Sequence, residues 1–415
     1  MKVLMAIFLA AILVFGSAST FASDISESDF VKKSTLSILN RNYYYDRDFS
    51  GENVKQSQRR EWAQGAIAKF SSGYTPGTVG FGVDAIGMFG LKLDSSSDRI
   101  GTGLLASSGK GIPGVDEAQD QYSKAVGAVK VKVSNSVLKI GGQIVKNPVV
   151  SLGDSRLLPE TVDGVTFSST DISKLLFEAG HLTSLRRRDQ TDRASGPLQE
   201  ADYVGGKYDF TKDLSASLYS SSIQNYWDNR FIGINWLHSL DAKQAVGLQY
   251  NAYQQKSIGD ELGGDLDNYV FSLQGSYSYL GSTFTVANQQ VSGRGPHQYL
   301  IDGTSTLYLS NFIQVMDAVN EDENSWKLQY DLNFAQLGLP GLTFTTVYAM
   351  GDNIKVGKTV SDGKEWETDF MVRYVVQSGR AKGLSTQVKA ASYRSDFKPD
   401  VHELRLVTEY PLNIF

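Results

Sequence analysis

The 415-residue chain contains no cysteine, which excludes a disulfide framework, a thiolate metal centre and a cysteine nucleophile together. Histidine is scarce as well: His181, His238, His297 and His402 are scattered and never fall at metal-ligand spacing. There is no Gly-x-Ser-x-Gly elbow and no glycine loop at P-loop spacing before Lys-Ser or Lys-Thr. A formal net charge of -5 lacks the basic footprint of a nucleic-acid binder. Past Phe15 no apolar run reaches the roughly 20 residues that a transmembrane helix requires. No cofactor is expected from this composition.

What the chain does have is 40 Gly, 21 Tyr and 20 Phe against 9 Pro, the composition of many strands joined by tight turns. Met1-Lys2, the apolar run Val3 to Phe15 and the small residues up to Ala22-Ser23 form the charged, apolar and cleavage regions of a secretory signal. Residues 1–22 are therefore expected to be a signal peptide, and 23–415 a single domain. The last segment alternates: Leu404, Leu406, Thr408 and Tyr410 share one parity, Arg405, Val407 and Glu409 the other, before the chain reaches Phe415. That is the period of a strand apolar on one face. In a closed barrel its open edge disappears by pairing with the first strand. The terminal aromatic looks like the address that outer-membrane proteins present to the barrel assembly machinery, an expected partner.

The same alternation recurs. Trp326, Leu328, Tyr330, Leu332 and Phe334 alternate with Lys327, Gln329, Asp331 and Asn333; Tyr269, Phe271 and Leu273 with Val270, Ser272 and Gln274; Val129, Val131 and Val133 with Lys130 and Lys132. Short turns at Ser134-Asn135, Thr211 to Asp213, Leu240 to Lys243, Leu280 to Ser282, Gly338 to Gly341 and Ser378 to Gly383 lie between long polar stretches. The long ones are Asp46 to Arg60, Gly90 to Asp120, Asn147 to Glu160, Arg187 to Glu200, Gln255 to Asp267, Ser292 to Asn324 and Gly351 to Lys364. Alternating short and long connections predict an all-β transmembrane antiparallel barrel with short periplasmic turns and long external loops. About nineteen segments look like strands, and bacterial barrels use even numbers, so Leu307 to Gln314 is assigned to a loop and roughly eighteen strands remain. That loop, rich in Leu307, Leu309, Phe312 and Ile313, is too apolar for solvent and is expected to fold inward and narrow the pore.

The stretches Leu39-Asn40-Arg41-Asn42-Tyr43-Tyr44, Arg60-Glu61-Trp62-Ala63-Gln64-Gly65, Gly77 to Ala85, Asp154-Ser155-Arg156-Leu157-Leu158-Pro159, Asp302-Gly303-Thr304-Ser305, Tyr374 to Gly379 and Glu409-Tyr410-Pro411-Leu412 recur in order along the chain. Together they resemble the OprD family of outer-membrane porins. The resemblance runs from about Phe30 to the carboxyl end. It implies an eighteen-stranded, substrate-specific channel in the outer membrane of a Gram-negative bacterium, passing small carboxylate-bearing nutrients along a ladder of basic residues. Parity offers Lys130, Lys132, Arg373, Lys389 and Arg405 for that ladder, with Lys139 beside them. Arg41 and Arg60 come from the matched motifs. Cations on such strands must point inward, since Lys or Arg facing lipid near the midplane costs about 2–4 kcal/mol. Gln387 and Lys389 stand where the family commonly carries Arg, so bidentate carboxylate recognition is lost at the first and reduced to a point charge at the second. Constriction candidates are Arg156 on the anion side and His297, Asp302 and Ser305 on the far wall. Alternatives are a general diffusion porin and a barrel-embedded serine hydrolase; a role as an enzyme is not expected. Outer-membrane lipid and lipopolysaccharide are expected partners, the latter through Arg186-Arg187-Arg188, in a monomer or weak trimer.

Overall fold

The computed structural model describes residues 29–52, 54–191, 198–300, 306–357 and 360–415; the expected signal peptide lies outside them. After one helical turn, α1 (Asp29–Lys32), eighteen strands follow in order. They are β1 (Thr35–Ser50), β2 (Gln58–Ser71), β3 (Val79–Asp94), β4 (Gln121–Val133), β5 (Ser136–Gln143), β6 (Thr161–Ser169), β7 (Leu175–Arg186), β8 (Ala201–Asp209) and β9 (Leu214–Ile223). The second half is β10 (Trp227–Ser239), β11 (Gln244–Ser257), β12 (Asp267–Tyr279), β13 (Ser282–Arg294), β14 (Asn324–Asn333), β15 (Leu342–Val356), β16 (Val360–Val375), β17 (Ser385–Ser395) and β18 (Asp400–Asn413). Each strand pairs antiparallel with its sequence neighbours, and β18 returns to β1 from Ser37 opposite Asn413 to Ser50 opposite Asp400. The seam continues past the strands, because Leu36 N donates to Phe415 O at 3.0 Å and Ile414 N to Leu36 O at 2.8 Å. Closure leaves no row of unpaired backbone groups, the condition for strands to cross a bilayer.

The burial pattern inverts that of a soluble protein. Phe81, Val83, Val129, Ile140, Leu218, Ile234, Leu248, Phe284, Leu328, Phe370, Val388 and Leu406 are all exposed and form the outward belt. The buried residues lie inside, where loops fold into the lumen. The loop 95–120 inserts Ile100, Leu104 and Leu105 against Tyr43, Tyr45, Ile67 and Met88, together with Leu157 and Leu158 from the loop 144–160. Val145, Val149, Val150 and Leu152 of that second loop pack with Leu300, Leu307 and Leu309 of the loop 295–323 against Leu182, Tyr203, Tyr219, Phe231, Tyr253 and Val270. The stretch 307–314 is thus loop and folded inward, as its apolar residues require.

Inward polar side chains of β11 to β14 hold that loop down. Tyr253 Oη accepts from Tyr308 N (3.1 Å), Ser272 Oγ from Ser310 N (3.2 Å) and Gln289 Oε1 from Asn311 N (3.0 Å). These strands look half polar in sequence because their inner face is a docking surface for backbone. The alternation of short and long connections is less regular than expected. Strands β15 and β16 extend to Val356 and from Val360, and β9 to β10 and β17 to β18 are joined at the loop end through only 224–226 and 396–399. Lys355 pairs with Glu321 of the loop 295–323, and Tyr393 donates across the β16–β17 ladder to Glu365, which holds these polar segments in regular strand.

Candidate functional site: a basic wall narrowed by two loops

A cluster of cations inside the lumen is built around Tyr45. Its ring is faced by three guanidinium groups: Arg156 with Cζ at 4.8 Å from the centroid, Arg405 at 4.9 Å and Arg47 at 5.6 Å. An aromatic face attracts cations, and this one gathers a loop residue and two wall residues that would otherwise repel one another. Tyr45 Oη donates to Glu403 Oε2 at 2.6 Å, and Glu403 also pairs with Arg405 and Arg47. Gln314, at the tip of the loop 295–323, closes the group by donating to Glu403 Oε1 (3.0 Å) and accepting from Arg405 Nη2 (3.1 Å). One carboxylate therefore serves two of the three guanidinium groups, and the cluster keeps a surplus of positive charge. Among the described residues Arg156 meets no carboxylate: its donors go to Thr102 O, Ser155 O and Oγ, and Tyr45 Oη. Burial pushes the Arg156 pKa down to about 10, so it stays charged at neutral pH.

The strand register puts Arg405 opposite Lys389 on one side and Tyr45 on the other, with Lys389 opposite Met371. Lys389 is half-buried and makes no hydrogen bond or ion pair among the described residues. Arg373 lies on the same face two positions beyond Met371 and is exposed. Of the remaining ladder candidates, Arg41 and Lys130 are already paired. Arg41 is buried and ties the wall to the loop 144–160, through Asp154 (2.9 Å), Glu409 (2.7 Å) and the carbonyls of Arg156 (2.7 Å) and Leu157 (3.2 Å). Lys130 reaches Asp84 at 2.8 Å, Ser71 Oγ at 2.6 Å and Ser72 O at 2.8 Å, and Lys139 caps the same Asp84 at 2.6 Å. Lys132, half-buried and 5.5 Å from the Tyr74 ring, has no carboxylate partner among the described residues.

Other candidates are placed differently. Arg60 shares its face with Trp62, which is 42% exposed, whereas Glu61, 1% exposed, points inward. Arg60 therefore sits on the outer surface, paired with Asp46 at 2.8 Å, and it is Arg59 that reaches the lumen, over the Phe49 ring at 5.1 Å. Trp62, an outward aromatic near the strand end, is the signal that assigns this parity. His297 does not line the pore. It is 1% exposed, packed 5.0 Å from the Tyr253 ring with Nδ1 at 3.2 Å from Asn268 Oδ1, and burial pushes its pKa down to about 3. Asp302 and Ser305 lie outside the described residues. The Arg186 to Arg188 run turns inward: Arg186 pairs with Asp163 at 3.0 Å, and the carbonyls of Arg187 and Arg188 accept from buried Lys124. Arg47 escaped the sequence reading although it shares the parity of Arg41, Tyr43 and Tyr45.

On β16, beside the basic wall and nearer the loop end than Met371, an acidic seam fixes the loop tip. Glu367 accepts the amides of Val315 (2.9 Å) and Met316 (2.5 Å), and Asp369 lies beside it. Asp317 and Glu323 of the loop face Glu365, whose Oε2 accepts Tyr393 Oη at 2.5 Å and Lys398 Nζ at 3.4 Å. Burial, with the Glu365 charge, pushes Asp317 up to about 7 and Glu323 in the same direction.

A pore of this geometry has known counterparts. A family model described as outer membrane porin, OprD family, matches residues 28–414. The chain belongs to the OprD family. It is 37% identical to Porin D of Pseudomonas aeruginosa across 96% of each chain. Among solved structures, Pseudomonas aeruginosa OccK9 (OpdG) superposes with a TM-score of 0.88 at 33% identity, covering 93% of this chain and all of that one. Pseudomonas aeruginosa OpdK with vanillate gives 0.85 at 32% identity, over 92% of this chain and all of that one. The barrel is accordingly an outer-membrane porin of the substrate-specific type, a transport channel, with its loop end external and its turn end periplasmic.

Proposed function

We propose that this OprD-family channel carries small carboxylate-bearing solutes past the basic wall of Arg156, Arg405 and Lys389, the mature chain beginning near Ser23. The observation that carries this reading is the sorting of the cations. Arg41, Lys130 and Arg405 are engaged with carboxylates, while Arg156, Lys389, Arg373 and Lys132 present charge without a carboxylate of their own. A solute carboxylate supplies the missing counter-charge at each in turn. Sites of this strength, spaced along the wall, let an anion exchange forward, whereas one deep site would hold it.

Arg156 offers a planar guanidinium and Lys389 a point charge, so the bidentate contact is made on the loop and released on the wall. The solute bound in the OpdK structure, vanillate, is an aromatic carboxylate. A general diffusion porin would not fill its lumen with three inserted loops. Single-channel recording in planar bilayers tests the proposal: benzoate or vanillate added at millimolar concentration should reduce or modulate the current, and the matching aromatic alcohols should not. Equal insensitivity to both would remove it.

A further inference from the structure

The outward face of the barrel carries a groove at its loop end. Two registered rows of side chains cross β16, β17, β18 and β1: Thr368, Ser392, His402 and Asp48 in the upper row, Phe370, Ala390, Leu404 and Asp46 in the lower. Ser392 and Ala390 are small between larger neighbours and leave a cavity of about 390 Å³ floored by β17. Below it the wall is apolar, with Phe370, Val388, Leu404 and Leu406 all exposed. Above it the lip is polar and internally organised. Arg394 donates to His402 Nε2 at 2.9 Å, which fixes the imidazole as an Nδ1–H donor, and pairs with Asp400 at 3.4 Å. Asp46 is bridged to Arg60 at 2.8 Å, and Gln58 joins Asp46 and Asp48 at 3.2 and 2.8 Å.

Exposed Trp62 and Trp366 flank these rows, the position of an aromatic girdle at the membrane–water boundary. The groove therefore opens to the external leaflet, its apolar half at acyl-chain depth and its polar half at headgroup depth. The lip from Thr368 to Asp48 spans three interstrand spacings, about 14 Å, wider than one glycerophosphate headgroup. It also offers donors (Arg394, Arg60, His402) and acceptors (Asp46, Asp48, Ser392) side by side, as a headgroup bearing both phosphate and sugar hydroxyls requires.

We propose that this groove binds lipopolysaccharide. One acyl chain of the lipid A anchor lies along Ala390 and Val388 between Phe370 and Leu404. The phosphorylated glucosamine headgroup meets Arg394 and His402, with its hydroxyls toward Asp46 and Asp48. The site replaces the inward-turned Arg186 to Arg188 run as the contact with the external leaflet, and it stands apart from the solute path.

The test uses the full barrel in detergent micelles, with purified deep-rough lipopolysaccharide and phosphatidylethanolamine as probes and native mass spectrometry as the readout. Ala390→Trp fills the groove; Arg394→Gln with His402→Ala strips the lip. Wild-type protein should retain lipopolysaccharide in preference to phosphatidylethanolamine, and each variant should lose at least tenfold in affinity. Heat-modifiable mobility and bilayer conductance should be unchanged, which separates loss of the site from loss of the fold or the pore. Undiminished lipopolysaccharide retention in either variant, or displacement by phosphatidylethanolamine at equal concentration, overturns the proposal.

Discussion

Arg405 and Lys389 are neighbours in register and differ in what surrounds them. Arg405 is 5% exposed and locked to Glu403 and Gln314; Lys389 is half-buried with no partner among the described residues. Substituting each by Gln should therefore have unlike consequences. Lys389→Gln should slow carboxylate flux several-fold and leave the thermal transition unchanged. Arg405→Gln should cost on the order of 3 kcal/mol of stability, because removing one member of a buried pair leaves the other charge uncompensated. Thermal melts and proteoliposome uptake run on both variants separate these outcomes. A third substitution probes the loop side: Arg156→Gln removes a cation that no carboxylate neutralises, so anion selectivity measured as a reversal potential should fall without loss of fold.

At the scale of elements, the loop 295–323 is a strap fastened at Glu367 by two amides and at Gln314 by the basic cluster. Glu367→Ala should free its tip and raise conductance, with more frequent switching between current levels. The acidic seam adds a pH dependence. Asp317 is held up to about 7, and Glu323 is shifted the same way, by burial beside Glu365. A carboxyl whose folded pKa lies above its unfolded value contributes stability at low pH that is lost as pH rises through the folded value. Loop docking should accordingly weaken as pH rises from about 4, the ordinary carboxyl range, to about 7, the folded value of Asp317, read as faster amide exchange at 314–319, and Asp317→Asn should flatten that change. His297 stays neutral throughout this window, its pKa being near 3.

Much of this was legible at the element scale. Strict alternation places Lys130, Lys389, Arg373 and Arg405 on the inner face because a period of two allows no compromise between faces. The strap was legible from Leu307, Leu309 and Phe312, too apolar for an exposed loop. Arg60 was misplaced because its motif, not its parity, was followed. His297 was misplaced for another reason: a loop that folds back buries some of its polar side chains, and periodicity carries no information about which. The division of the cations into engaged and free depends on Asp84, Asp154 and Glu403, partners that lie far away in sequence and meet only once the barrel closes.

For the whole molecule, closure has two consequences that face in opposite directions. Outside, it makes a continuous apolar belt interrupted at the external rim by the groove over β17. Inside, it brings β16, β17, β18 and β1 side by side, so residues 360 positions apart, such as Tyr45 and Arg405, share one site. The account rests on that inner wall attracting carboxylates. The most direct test is the ratio of benzoate to benzyl alcohol flux in proteoliposomes, compared between wild type and a Lys389→Gln, Arg156→Gln double variant. Loss of about 1.4 kcal/mol of attraction is a tenfold change, so the ratio should fall roughly tenfold with alcohol flux unchanged. An unaltered ratio, or an equal fall in both fluxes, would contradict it.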